Sequence, residues 1–269
     1  MAAPPVWTVR DADSAIVIFG SVHVLPQGLD WMPPSLKTAL AGADDLWFEV
    51  PLDDEATVAA QREANAAGFL KGKRPLSAYL SHTGHARLER VCGSLGYPLS
   101  EVERMRPWYA ELTLSSALYR QSGADLSRGV ERVVAEAAPA SARRRAFETP
   151  GEQVALFASA PLADQLASLE DTLRQIDEAP GDYQDLVRAW MAGDVRGLDR
   201  EAVSPLRTSA PRLYASLVAR RNARWADRII ERLHGAGRTV IVVGVGHLVG
   251  EDGIPALLRA RGVTVDGPG

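Results

Sequence analysis

Two stretches at opposite ends of the chain share one form, a β-branched run that ends at once in Gly-x-x-His. Ala15–Phe19 leads into Gly20-Ser21-Val22-His23, and Thr239–Val243 leads into Gly244-Val245-Gly246-His247. This recurrence constrains the fold more than any other feature. The Val-rich run at 239–243 is too apolar to be an exposed edge, so the first and last strands are expected to pair. The chain between them reads mainly as helix. That order predicts an α/β (α+β) fold, in which a small mixed sheet built from both ends of the chain is covered by helices.

Further strands are expected at Val6–Val9, at Asp45–Val50 before Pro51, at Arg144–Phe147 and at Val263–Val265. Asp11-Ala-Asp-Ser separates the first two runs as a hairpin signal. Helices are expected from Pro33 to Ala41, at Glu55–Ala67, up to Leu95 with Gly96 as C-cap, and from Pro107 to Gln121. More follow from a Ser127 N-cap to Ala138, then at Gly151–Ser159, Leu162–Glu178, Asp182–Ala192, Thr208–Leu233 and Gly250–Arg261. One domain is expected over 1–269, its sheet core at about 1–53 and 234–269 and its helical insertion at about 54–233.

Composition excludes several classes. With 46% hydrophobic and 24% charged residues the chain can bury a core. Its net charge is −4, and its longest basic run is Arg143-Arg144-Arg145, so nothing argues for a nucleic-acid partner. No apolar run reaches the ~20 residues of a membrane helix, so the chain is not expected to be transmembrane. The lone Cys92 rules out an internal disulfide and Cys-rich zinc sites, and reads as a core residue. Met1-Ala-Ala-Pro-Pro resembles a start left by signal cleavage. The expectation is a periplasmic or secreted protein if a signal peptide was removed, and otherwise a cytoplasmic one.

Four strand runs end in His23, His247, Glu49 and Glu148. Ligands of open α/β sheets bind outside the carboxyl ends of the strands, and a glycine lets the backbone turn sharply and approach a ligand closely. Two imidazoles and a carboxylate suit a divalent metal with open positions, or else a general base and its orienter. Glu49 lies in the apolar run Leu46-Trp-Phe-Glu-Val50, and burying a carboxylate is costly unless it is paired or ligated.

Several segments resemble the TraB/GumN family, related to the Tiki proteases and more distantly to erythromycin esterases and ChaN-like proteins. They are Phe19-Gly-Ser-Val-His-Val-Leu-Pro26, Ala43-Asp-Asp-Leu-Trp-Phe-Glu49, Arg106-Pro-Trp108, Gly129-Val-Glu131, Phe147-Glu-Thr-Pro-Gly-Glu-Gln153, Trp190-Met-Ala-Gly-Asp194, Arg221-Asn-Ala-Arg-Trp225 and Val243-Gly-Val-Gly-His-Leu-Val-Gly-Glu-Asp-Gly253. The resemblance implies a metal-dependent, protease-like hydrolase acting on a peptide or small ester. His23, Glu49 and His247 would hold a divalent ion such as Mn, Zn or Co. Arg221 and Asn222 would join the site, with Arg221 placed to stabilise an oxyanion. Glu148 is a candidate substrate or metal contact, although Pro-Gly follows Thr149 where a more helical start is expected; Gln153 reads as a helix residue bonded locally. Two alternatives stay open: a non-catalytic peptide-binding or regulatory protein, and a metal-free esterase with a histidine as base.

Other signals fit structural roles. His82 and His85 read as a solvated helix end, and His234 as a cation at a helix C-terminus. Gly244-Val-Gly-His-Leu-Val-Gly250 has its third glycine one position late for a dinucleotide loop. Glu251 and Asp252 read as acids at a helix start.

Overall fold

The structure is a computed structural model that describes residues 3–22, 24–26, 28–124, 129–179 and 181–268. Strand β1 (Val6–Arg10) and β2 (Ser14–Ser21) form a hairpin, followed by α1 (Pro34–Ala41) and β3 (Asp45–Phe48). The helices α2 (Asp54–Ala67), α3 (His82–Leu95), α4 (Leu99–Val102), α5 (Pro107–Gln121) and α6 (Val130–Ala137) come next. The chain returns to the sheet with β4 (Arg143–Ala146) and then runs through α7 (Pro150–Ala158), α8 (Leu162–Glu178), α9 (Asp182–Ala192) and α10 (Val195–Leu198). It closes with α11 (Ser204–Ser209), α12 (Pro211–Tyr214), α13 (Arg220–Leu233), β5 (Gly237–Gly244), α14 (Ile254–Ala260) and β6 (Val265–Asp266).

The sheet order is β4-β3-β5-β2-β1-β6. The four strands β4, β3, β5 and β2 run parallel, while β1 is antiparallel to both β2 and β6. The Val-rich β5 therefore lies inside the sheet between β3 and β2, as its lack of polar alternation requires. Its side chains divide with period two: Val240 and Val242 join a core on one face with Phe19 and Trp190, and Ile241 and Val243 join a core on the other with Ile16, Ile18 and Trp225. A third apolar cluster lies away from the sheet, where α3, α5 and α8 pack through Leu88, Leu114 and Leu169.

Three elements depart most from the sequence reading; β3 and β4 differ by a residue or two at their ends. The helix expected over Thr208–Leu233 is broken into α11, α12, a π-helical stretch at Ala215–Ala219 and α13. Pro211 has no N–H to donate and starts a new helix, so the periodic pattern could not continue through it. The last helix begins at Ile254 rather than Gly250, because Gly250 has φ +76 and Gly253 sits extended at the N-cap with Pro255 just inside. The final strand is two residues long, Val265–Asp266. The expected Ser127 N-cap lies outside the described residues.

The basic run at 143–145 has a structural use. Asp45, buried at the start of β3, accepts from Arg143 Nε and Nη2 at 2.9 and 2.8 Å, from Arg145 Nε at 3.0 Å and from Arg232 Nη2 at 3.4 Å. Burial pushes its carboxyl up, but the Arg143 and Arg145 hydrogen bonds outweigh this and hold it below the usual aspartate value. The clamp ties β3 to β4 and α13, at the sheet edge opposite the strand ends that carry the candidate site.

Candidate functional site

Because β2, β5, β3 and β4 are parallel, their carboxyl ends share one edge of the sheet. In register, Ser21 lies beside Gly244, and Phe48 beside Ala146. The ladder continues past β3 and β4 through Phe147 N–H to Phe48 O and Glu148 N–H to Glu49 O, at 2.9 and 2.8 Å. Two strand-end carboxylates are thereby set side by side. Beyond β5 the chain turns through a short 3₁₀ segment, Val245–His247, which brings His247 back over the same edge.

The fourth contributor is α13. Its buried residues Arg221, Asn222, Trp225, Ala226, Ile229 and Leu233 recur at helical spacing, so one face meets the sheet. Arg221 and Asn222 are the polar start of that face, 5% and 0% exposed. Arg221 forks onto Glu148, with Nε to Oε1 at 2.9 Å and Nη2 to Oε2 at 2.9 Å, and Nη2 also reaches Glu49 Oε2 at 2.8 Å. Its Nη1 donates to Leu217 O at 2.9 Å and lies 3.0 Å from His247 Nε2. Burial opposes the guanidinium charge, but the Glu148 hydrogen bonds and the nearby Glu49 charge overcome it and hold Arg221 above the ordinary arginine value.

The hydrogen bonds fix the imidazole. Asn222 Nδ2 donates to Asp252 O at 2.7 Å and His247 O at 3.2 Å, so its Oδ1 is the acceptor that faces His247 Nδ1. Nδ1 therefore carries the proton, and in the neutral ring Nε2 is the acceptor turned toward Arg221 and Glu49. Trp225 lies against the ring at 4.6 Å between centroids and also carries the Arg221 guanidinium over its face at 4.5 Å. Glu49 Oε1 accepts from Gly244 N–H at 2.7 Å, and Gln153 Nε2 lies 3.4 Å from Oε2.

Glu49 also has a second environment. It lines a cavity of about 580 Å³ between the strand ends and α2, α5 and α7. On α2, Ala56, Ala60 and Ala64 face this space one turn apart, opposite Trp108 and Phe157. Glu131 lines it too, and its Oε1 accepts from Ser21 Oγ at 2.6 Å.

The expected set of site residues is thus largely brought together: Glu49, Glu148, Arg221, Asn222 and His247 form one buried hydrogen-bonded cluster. His23 lies outside the described residues. Glu251 is exposed, whereas Asp252 contributes through its carbonyl and through a carboxylate that accepts from Tyr214 Oη at 2.8 Å. Gln153 reaches Glu49 rather than bonding locally. Thr149 and Glu152 form a capping box that starts α7 directly after Glu148, which puts Gln153 one turn inside, on the side of Glu49. The Thr-x-x-Glu spacing was the available signal for that placement. The aromatic support from Trp225 had a weaker signal, its i+4 spacing from Arg221.

Gly20 works by proximity rather than by an unusual turn. Neither Gly20 nor Gly244 has a positive φ. A Cβ at Gly20 would meet Val245 Cγ2 at 2.8 Å and Val245 Cα at 3.1 Å. The first Gly-x-x-His segment thus lets the second pack directly on it.

A divalent ion can be tested against this geometry. Among the described residues no group of three or more His, Cys, Asp or Glu side chains is arranged to hold a metal. Of the expected set, His247 Nε2 and Glu49 Oε1 lie 3.8 Å apart, slightly wider than the ~3.4 Å separating two ligands of a tetrahedral ion. The imidazole and carboxylate pair fits a borderline divalent cation in chemistry and convergence. Arg221 would have to give up its contact with Nε2 for the ion to enter.

The family model for TraB/PrgY/gumN matches residues 5–267. An uncharacterized protein of Escherichia coli (strain K12), YbaP, is 24% identical over 243 residues, covering 90% of this chain and 87% of its own length. An uncharacterized protein of Treponema pallidum (strain Nichols) is 20% identical over 267 residues, covering 95% and 80%. No solved structure matches.

Proposed function

From the premise that the chain belongs to the TraB/PrgY/gumN family, we propose that it is a hydrolase of peptide or ester bonds, with its reaction centre at the strand-end cluster. The observation that carries this reading is the double position of Glu49. It is anchored by the Gly244 N–H and Arg221, and it also forms part of the wall of the 580 Å³ cavity. A carboxylate so fixed at a cavity wall is suited to hold a water and accept its proton. Arg221 keeps its charge under burial and is suited to neutralise an oxyanion formed beside Glu49. Asn222 holds His247 in one tautomer, so its Nε2 lone pair faces the site, where Arg221 Nη1 lies 3.0 Å from it. Glu148 engages the far side of the guanidinium and orients it.

The reading includes a divalent cation held by His23, Glu49 and His247. When bound, such an ion supplies Lewis acidity toward the substrate carbonyl and lowers the pKa of water at the site. The Arg221 contact with His247 Nε2 favours a second reading, a metal-free esterase in which the same histidine and glutamate act alone.

The test is metal content together with turnover. Wild type and a His23→Ala/His247→Ala variant are equilibrated with Mn²⁺, Zn²⁺ or Co²⁺, and bound metal is measured beside hydrolysis of ester and peptide probes. Stoichiometric metal and turnover in wild type, both lost in the variant, are expected. Turnover that survives chelation selects the metal-free reading, and absence of turnover under every condition removes the hydrolase.

A further inference from the structure

A second cavity, of about 360 Å³, lies between α5, α8, α9 and the segment around 201–217. Its walls are unusual for the interior of a helical layer. On α5, Trp108, Glu111 and Ser115 follow core-facing spacing, and on α8 so do Gln165, Ser168 and Thr172. Those positions on packed helices are ordinarily apolar. Here they set a carboxylate, an amide and three hydroxyls against each other.

The charge of the cavity has one sign. Glu111, Asp171, Asp182 and Glu201 line it, and no Lys, Arg or His does so among the described residues. Asp171 and Glu201 have partners outside it, Arg174 at 2.6 Å and Arg200 at 2.8 Å. Among the described residues Glu111 has only neutral donors: Ser168 Oγ and Thr172 Oγ1 both donate to Oε1, at 2.9 and 3.0 Å. Burial accordingly pushes its carboxyl up to about 7 despite those two hydrogen bonds. An independent observation concerns Gln165, which is 0% exposed and lines the same cavity. Its Nε2 donates to Ala160 O at 2.7 Å, while Oε1 has no hydrogen-bond partner among the described residues. A buried amide oxygen left in this way is a persistent cost that a donor would remove.

We propose that this cavity binds an organic ammonium group, with its charge at Glu111 and its hydrocarbon part against Trp108, Phe157 and Tyr183. An ammonium brings three N–H donors and no acceptor, which complements a wall made of carboxylate, amide and hydroxyl oxygens. The aromatic faces suit both the apolar part and the charge. A bare metal ion suits the wall less well, since no group of three or more ligating side chains converges there among the described residues. Trp108 and Phe157, stacked 6.0 Å apart, also border the cavity at Glu49, so one aromatic pair separates the two spaces. The inference does not depend on the hydrolase reading, because its test is binding alone.

The experiment titrates the full chain by calorimetry with hexylammonium, and separately with hexanol and hexanoate as neutral and anionic matches. Hexylammonium is expected to saturate one site and to bind at least about tenfold more tightly than either match, the scale of one charge-assisted hydrogen bond. Glu111→Gln keeps an acceptor for Ser168 and Thr172 and is expected to weaken hexylammonium by about tenfold while leaving hexanol unchanged. A leucine amide and its N-acetyl form distinguish a free small amine from a peptide amino terminus. Binding of the first and not the second assigns the terminus, and binding of hexylammonium without either assigns a small amine. Equal affinity for hexanol, no saturable binding of hexylammonium to wild type, or binding indifferent to Glu111→Gln would overturn the proposal. The wild-type comparison decides even if the variant fails to fold.

Discussion

Replacing Glu111 by Gln isolates the energetic consequence of one half-buried carboxyl facing a cavity. In the folded chain Glu111 titrates near 7, against 4.5 for an ordinary glutamate. The folded value is the higher one, so this group's contribution to stability is fully present below 4.5 and is lost as pH rises through 7. Between about pH 5 and pH 8 the two values predict a fall of about 2.5 kcal/mol in wild type from this group alone. Contact with the cavity lets water moderate the shift, so that figure is an upper value and about 1 kcal/mol a lower one. Gln cannot ionise and still accepts from Ser168 and Thr172. The assay is urea unfolding of both proteins at three pH values across that interval. The variant is expected to gain on wild type by about 1–2.5 kcal/mol from the acid to the alkaline end, since every other titration is common to both. A difference between them that stays constant with pH would refute the reasoning, because it would show that Glu111 is no harder to ionise when folded.

Three further outcomes are expected. Gly20→Ala places a methyl 2.8 Å from Val245 Cγ2 and should destabilise the chain by about 1–3 kcal/mol in denaturant unfolding, as overpacking between two close backbones does. Cys92 is buried, and burial followed by the nearby Glu103 charge raises its thiol to about 11, so a thiol reagent near pH 8 should leave it untouched until the chain is unfolded. Asp45 titrates below its ordinary value when folded, so its stabilising contribution is present above an unfolded aspartate's pKa and disappears as pH falls through the folded one. Asp45→Asn should lower stability by about 3 kcal/mol at neutral pH and flatten the acid limb of the unfolding curve.

The parts of this molecule readable from the sequence are those set by local chemistry. The Val-rich run at 239–243 required burial on both faces, and it lies inside the sheet. Strand ends in Glu49, Glu148 and His247 pointed to a common edge, which the parallel topology supplies. The helical face bearing Arg221 and Asn222 was visible in the Arg-Asn-Ala-Arg-Trp spacing, but its direction was not. Whether Arg221 paired with one carboxylate or two depended on β4 returning from mid-chain to lie beside β3. Tertiary arrangement also concealed the role of Gln153 and the polar stripe of Glu111, Ser168 and Thr172. Each of those residues looks like an ordinary helix surface until the opposing helix is in place. Pro211 was legible too: the periodicity on either side of it suggests one helix, while its missing N–H dictates two.

The central claim is that the cluster around Glu49 is a hydrolytic site, and the most direct measurement compares wild type with Glu49→Gln. Both are assayed on apolar-flanked peptide and ester probes, after chelation and after readdition of Mn²⁺, Zn²⁺ or Co²⁺. The account predicts turnover in wild type, dependent on added metal, and a loss of at least about 100-fold in Glu49→Gln with its fold retained by circular dichroism. Turnover that is the same in both proteins would contradict it, as would a wild type that binds these probes and never cleaves them.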